Sequence, residues 1–255
     1  MSLIFDTWFQ FAKYMKITLR MPLWTLFGLI QPLIWLVIFG ELFRNMTQLG
    51  GFPATSYIEF LTPGILVMTV LFGSSWSGVS LLREINFGTV NKVLVTPVKR
   101  TSIVLSRVLH SAVTVIIQII IIFTLAWFLG AKVHGGLAAF TTVTLLILLL
   151  AVGFAALSNG FAMKLKREEP LVVIGNMLTL PLMFFSSAFI PQSFMPDWIK
   201  NLAVLNPVSY AVDAVRLSLN GEFTVPFLFS FFAVFFFAVL TMVWATRMFI
   251  RQQED

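Results

Sequence analysis

Residues 108–129 read V-L-H-S-A-V-T-V-I-I-Q-I-I-I-I-F-T-L-A-W-F-L, twenty-two positions without an Asp, Glu, Lys or Arg. The run from Val115 to Phe123 is interrupted only by Gln118. The hydrocarbon core of a bilayer calls for about 20 mostly apolar residues in a helix, and this stretch supplies them. The same test selects five further segments: Leu23–Leu42, Phe60–Leu82, Leu137–Met163, Leu171–Ile190 and Pro226–Thr246. Bulk composition agrees. Of 255 residues 58% are apolar and 11% charged, whereas soluble domains carry about 25% charge. So much apolar surface must be solvated by lipid. The 28 Phe and 7 Trp suit lipid-facing and interfacial positions.

The charges then orient the spans. Thirteen of the 17 Lys and Arg fall in the segments before the first predicted span, between the second and third, between the fourth and fifth, and after the sixth. The four others, Arg44, Lys132, Lys200 and Arg216, fall on the opposite side. Cytoplasmic loops collect Lys and Arg, so six alternating spans place both termini in the cytoplasm of a multi-pass cell-membrane protein. This pattern also accounts for the net charge of +6. Cations scattered over four loops are no footprint for nucleic acid.

The first 20 residues include Asp6, Lys13, Lys16 and Arg20 and lack the continuous apolar core of a cleavable signal. Phe5, Trp8, Phe9, Ala12, Met15 and Leu19 lie opposite the polar positions, so residues 1–22 are predicted to form an amphipathic interface helix. There is no Cys, hence no disulfide or thiolate metal site. No internal repeat or linker is evident, and 1–255 reads as a single transmembrane domain.

Three segments carry more specific information. In the cytoplasmic loop 83–107, Ile85, Phe87, Val90, Val93 and Leu94 alternate with polar residues, giving a short helix with one apolar side that Pro97 terminates. Such a helix could lie beneath the membrane or dock in a partner's groove. The external segment 187–225 is broken at Pro191, Pro196 and Pro207. Trp198, Ile199, Leu202 and Leu205 are at helical spacing, as are Tyr210, Ala214 and Leu217, and Asp213 and Arg216 are three apart, able to pair on one helix. Too apolar for a free loop and too interrupted to span, this segment is predicted to form re-entrant helices. Finally, Gly73–Ser80 (G-S-S-W-S-G-V-S) lies within the second span. It lacks a Gly-x-Ser-x-Gly elbow, and His110 and His134 fall on opposite sides of the membrane, so the small residues point to close helix packing rather than catalysis. Gln31, Glu41, Gln118, Asn159 and Asn176, lone polar residues in or at the ends of spans, are expected to bond between helices.

Arg83-Glu84, Gly88-Thr89-Val90, Leu94-x-Thr96-Pro97 and Arg100 together resemble the cytoplasmic loop of type-2 ATP-binding-cassette (ABC) permeases, the drug- and polysaccharide-export class, and in particular the daunorubicin-resistance type. The external residues Pro191, Met195, Pro196, Trp198, Asn206, Pro207, Asp213 and Arg216 match a second stretch of that family. The resemblance implies an all-α polytopic fold of six transmembrane helices. It implies a coupling helix in 83–107 that seats on a cassette ATPase subunit, and two short re-entrant helices between spans five and six. It also allows the turn Lys164–Glu169 to approach the ATPase. A second permease copy, identical or related, is implied as partner.

The chain carries no Gly-x-x-x-x-Gly-Lys-[Ser/Thr] phosphate loop. The resemblance therefore puts ATP and Mg on the partner, with no cofactor in this chain and no enzyme activity of its own. Only three Tyr are present, which favours hydrophobic or amphipathic cargo over a lipid-linked glycan or polysaccharide. An integral membrane enzyme would need clustered carboxylates, His ligands or a nucleophile with its base. A non-transporting membrane scaffold is the remaining alternative.

Overall fold

A computed structural model describes residues 3–20, 22–48, 52–87, 100–132 and 134–254, with backbone alone at 3, 22–27, 100–105, 107–108 and 249–254. Its regular structure is entirely helical: α1 (Leu3–Arg20), α2 (Pro22–Leu42), α3 (Tyr57–Ser75), α4 (Ser77–Asn86), α5 (Arg100–Phe128), α6 (Gly136–Leu165), α7 (Glu168–Phe184), α8 (Asp197–Val204), α9 (Pro207–Asn220) and α10 (Val225–Glu254). Two 3₁₀ turns, Arg44–Gln48 and Gln192–Phe194, join them. Among the described residues, four stretches are long and apolar enough to cross a membrane: Tyr57–Asn86, Leu109–Phe128, Gly136–Leu165 and Val225–Met248. Helix α2 is apolar over Gly28–Leu42, and α7 has 17 residues.

Helix α6 is the central post, packing against α10, α3, α9 and α4. It buries Leu146, Ile147, Leu150 and Phe154. Gly153 and Gly160, two turns apart, admit α10 at close range. A Cβ on Gly153 would stand 2.8 Å from the Phe237 ring, and one on Gly160 would enter the Trp244 ring. Without a hydrophobic drive between helices in lipid, such close approach is what holds them. The outside of α10 is the reverse, with Phe229, Phe232, Phe236 and Leu240 all more than half exposed. A surface this apolar suits lipid or another protein rather than water.

Helix α1 packs along α5. Asp6 and Thr7 are buried, and Thr18 Oγ1 lies 2.8 Å from His110 Nε2. Ile4, Phe5, Trp8, Phe9 and Leu19 stay exposed. Part of the polar face, Asp6, Thr7 and Thr18, therefore meets protein, while Lys13, Lys16 and Arg20 and the aromatic face stay exposed.

The structure departs from the sequence-based boundaries in two places. The second predicted span is broken at Trp76 (φ −82°, ψ −5°), between α3 and α4. Serines and glycines flank this point, and serine hydroxyls that bond back to the preceding turn bend helices; Ser75 Oγ donates to Leu71 O at 2.8 Å. The fifth predicted span ends as a helix at Phe184 rather than Ile190. In the loop 83–107, α4 carries the chain to Asn86 and α5 resumes at Arg100. The rest of the predicted loop helix, with Gly88, Thr89, Val90, Leu94, Thr96 and Pro97, lies outside the described residues.

Candidate functional site

The end of α7 at Phe184 determines the shape of the site. Once α7 stops, residues 185–190 run through the protein without helical partners for their carbonyls. Buried or bilayer-facing backbone groups must be satisfied by neighbours, and here side chains do so, most of them from distant segments. Asn206 Nδ2 donates to Leu182 O (2.6 Å) and Phe185 O (2.9 Å). Ser186 Oγ donates to Met183 O (2.6 Å), Arg216 Nη2 to Ser187 O (2.9 Å) and Tyr57 Oη to Phe189 O (2.9 Å).

Asn206 does two tasks at once. While its amide caps the carbonyl end of α7, its Oδ1 accepts from Val208 N at 2.9 Å. It is thus the N-cap of α9, and Pro207 follows at the first helical position, where its missing N–H costs nothing. Asn206→Ala removes all three bonds. The variant purified in detergent is expected to lose about 2–3 kcal/mol of stability, one capping contribution plus two stranded carbonyls. Thermal denaturation of the variant beside wild type measures it, and an unchanged midpoint would refute the dual-cap role.

Arg216 sits at the centre of the site. Its Nη1 donates to Asp213 Oδ1 at 3.1 Å, and its Nη2 also reaches Phe60 O at 3.4 Å. The guanidinium stands 4.1 Å over the Phe60 ring. Asp213 in turn accepts from Ser187 Oγ (2.6 Å) and from Gln192 Nε2 (3.2 Å). Burial pushes the Asp213 carboxyl up, against the opposing pull of Arg216 and the Ser187 bond. Burial brings Arg216 down to about 10, with Asp213 opposing, so Arg216 remains cationic at neutral pH. Helices α3 and α9 and the turn after α7 are thereby tied at one point. Gly64 completes the contact: a Cβ there would stand 2.5 Å from Ala188 O.

The rest of the external motif is peripheral to this point. Pro191 is buried and precedes the turn Gln192–Phe194. Met195 is buried. Pro196 stands at the N-cap position of α8. Trp198 is exposed, its ring edge-on to Phe185 at 6.0 Å. Leu202, Val204 and Leu205 are exposed beside it, so α8 presents an apolar outer face. Asp197 pairs with Lys200 on the surface at 3.3 Å.

At the other end of the bundle Arg83 Nε meets Glu168 Oε2 at 2.9 Å, joining the end of α4 to the start of α7. Glu84 is half-buried next to it, and Arg100 opens α5. The spacing of the sequence signals Asp213 with Arg216 but gives no sign of Ser187, Gln192 or Phe60, whose partners are far away in the chain. Glu168 reads in the sequence as part of a solvated turn; only the fold shows Arg83 against it. Among the described residues no group of His, Asp and Glu is arranged to hold a metal ion.

Comparison with known proteins places the chain in a lineage. Residues 7–220 match the family model described as ABC-2 type transporter. The chain is 37% identical over 211 residues to the transport permease ycf38 of Pyropia yezoensis, covering 80% of this chain and 72% of that one. It is 28% identical over 197 residues to the daunorubicin resistance ABC transporter permease protein DrrB1 of Streptomyces coeruleorubidus, covering 75% and 67%. It is 24% identical over 230 residues to the inner membrane transport permease YadH of Escherichia coli K12, covering 85% and 86%. The match takes in both the Arg83 end of the bundle and the Arg216 site, and the chain belongs to the ABC-2 type transporter family.

Proposed function

We propose that this chain is the transmembrane permease subunit of an exporter that moves a hydrophobic or amphipathic substrate (a drug, natural product or lipid-like molecule) out of the cytoplasm. ATP hydrolysis on a separate cassette ATPase subunit, which holds ATP and Mg, drives it. The observation that carries this reading is the family match over residues 7–220, and similarity to a daunorubicin-resistance permease favours this cargo class. The whole chain acts as one permease domain in the cell membrane, paired with a second permease copy.

Six crossings with both termini cytoplasmic fit the helices. Alongside the four long apolar stretches, α2 has 21 residues, enough for a crossing. Helix α7 at 1.5 Å per residue reaches roughly 25 Å, short of the ~30 Å core. The capped run 185–190 completes the crossing, since non-helical backbone is tolerated at membrane depth where protein covers it. Helices α8 and α9 then serve as the re-entrant pair, and α1 as the interface helix.

In this mechanism the ATPase dimer closes on ATP and pushes the loop 83–107, whose Arg83, Glu84, Gly88, Thr89, Val90, Leu94, Thr96, Pro97 and Arg100 form the coupling surface. The permease pair then shifts its access from the inner to the outer side, because ATP binds the two states differently. The test is reconstitution with the cassette ATPase and export into inverted vesicles. Glu84→Ala and Gly88→Leu are expected to insert normally and hydrolyse ATP, yet export at least about fivefold more slowly, the lower end of ordinary coupling energies. Normal export by both would refute the coupling surface. Failure of the wild-type pair to export any amphipathic cargo would refute the exporter.

A further inference from the structure

We propose that the break at Trp76 is a hinge in the second span, latched by the hydroxyl of Ser158. About this hinge the inner piece α4 swings against the outer piece α3.

At the break one side chain from α6 serves the backbone of its neighbour. Ser158 Oγ donates to Ser75 O at 2.6 Å and accepts from Gly78 N at 3.0 Å. A donor and an acceptor of the second span are thus satisfied from another helix. A side chain inserted into the backbone ladder is a recognised cause of a sharp helix bend. Two further polar pairs surround it: Ser77 Oγ donates to Asn159 Oδ1 at 3.2 Å, and Ser75 Oγ lies 3.0 Å from Thr179 Oγ1. Gly78 lets the backbones meet here, because a Cβ at that position would overlap the Ser158 carbonyl.

The two pieces are anchored differently. Helix α3 is fixed at its outer end to the turn 185–190 and to α9 through Tyr57, Phe60 and Gly64. Helix α4 buries Val79 and Leu82 in a small cluster with Ala162 of α6 and Leu171 of α7, and its inner end beyond them carries the Arg83–Glu168 pair, whose Arg83 side chain is 58% exposed. Such a surface pair contributes little stability. A cavity of ≈ 20 Å³, room for about one water, lies beside the break, lined in part by Ser75, Ser158, Gly175 and Thr179.

The latch has low-cost alternatives. A helical serine released from a neighbour can bond back to a carbonyl of its own preceding turn, as Ser75 already does to Leu71. Release of Ser158 would therefore leave its hydroxyl satisfied while α4 turns. Because α4 leads into the loop 83–107, the hinge would admit motion of the coupling surface without moving the external site. What drives the hinge rests on the proposed function; its existence does not.

The chain has no native Cys, so pairs of introduced cysteines carry spin labels cleanly. Ile85→Cys with Lys164→Cys reports α4 against α6, and Pro53→Cys with Leu137→Cys reports the outer side. In the full chain in bilayers, Ser158→Ala is expected to broaden the inner distance and shift it by roughly 2–5 Å, between a small helix shift and a one-turn slip. The outer distance should hold, and Ser158→Thr, which keeps the hydroxyl, should restore the narrow inner distribution. Ser77→Ala, which removes only the Asn159 bond, should broaden the inner pair to a lesser degree and serves if Ser158→Ala does not insert. An inner distance unmoved in every variant that inserts would overturn the hinge, as would equal changes in both pairs. Export by the wild-type complex is scored separately: its absence defeats the exporter reading, while a selective inner shift still upholds the hinge.

Discussion

Arg216→Ala is expected to destabilise the purified permease by about 3–5 kcal/mol, the usual cost of removing one partner from a buried ion pair. Three losses combine. Asp213 keeps a charge that burial disfavours and loses the cation that offsets it. Ser187 O loses its donor at 2.9 Å, in a turn with no helical bonds to fall back on. The Phe60 ring loses the guanidinium 4.1 Å above it. Arg216→Lys should recover only part of this, because a point charge on a flexible stem cannot serve Asp213, Ser187 O and the ring together. Asp213→Asn combined with Arg216→Ala should cost less than the sum of the two single changes, because the groups are coupled.

The pH dependence of the Arg216→Ala variant gives a further check. Asp213 has its folded-state pKa raised above the ordinary 3.8. A folded carboxyl that holds its proton at higher pH than the unfolded one makes stability fall as pH rises through the folded value. Loss of Arg216, which pulls the carboxyl down, raises it further, so the variant should be weaker at neutral pH and recover as pH is lowered towards 3.8. Denaturation midpoints across that range measure it. A variant within about 1 kcal/mol of wild type at neutral pH would mean the site is water-screened and contributes only what a surface pair does.

The helices were legible in the sequence because their signal is local: twenty-two residues without charge announce themselves, as at 108–129. The helix that follows Asn206-Pro207 was legible for the same reason, from Tyr210, Ala214 and Leu217 at helical spacing. The partners that give those residues work were not. Ser187 and Gln192 reach Asp213 across 26 and 21 positions, and Phe60 reaches Arg216 across 156. The small residues of Gly73–Ser80 read as packing, and Gly78 against Ser158 is close packing. What periodicity could not convey was that the helix breaks there, because the compensating hydroxyl comes from position 158. The early end of α7 was hidden likewise. Residues 185–190 are apolar enough to extend a span, and only the donors Asn206, Arg216 and Tyr57 reveal that their carbonyls are bonded from outside.

Glycines divide most sharply on this distinction between local and distant signals, and the division is testable within one helix. Gly64→Val in α3 is expected to cost about 3 kcal/mol or more, at the upper end of overpacking. The added Cβ would stand 2.5 Å from Ala188 O and 2.9 Å from Ala188 Cα. Both are backbone atoms of a turn that side-chain bonds hold in place, so no rotamer change relieves the overlap. Helix α3 must instead withdraw, which also lengthens Tyr57 to Phe189 O and Arg216 to Phe60 O. Gly73→Ala, nine residues further along, meets nothing within 4 Å. It should be neutral or stabilise by up to about 1 kcal/mol, the difference in helix propensity. Yield of folded protein and thermal midpoint in detergent separate the two. If both changes are tolerated alike, α3 does not press on the turn after α7, and the tie between α3 and α9 is not the rigid one inferred from Arg216.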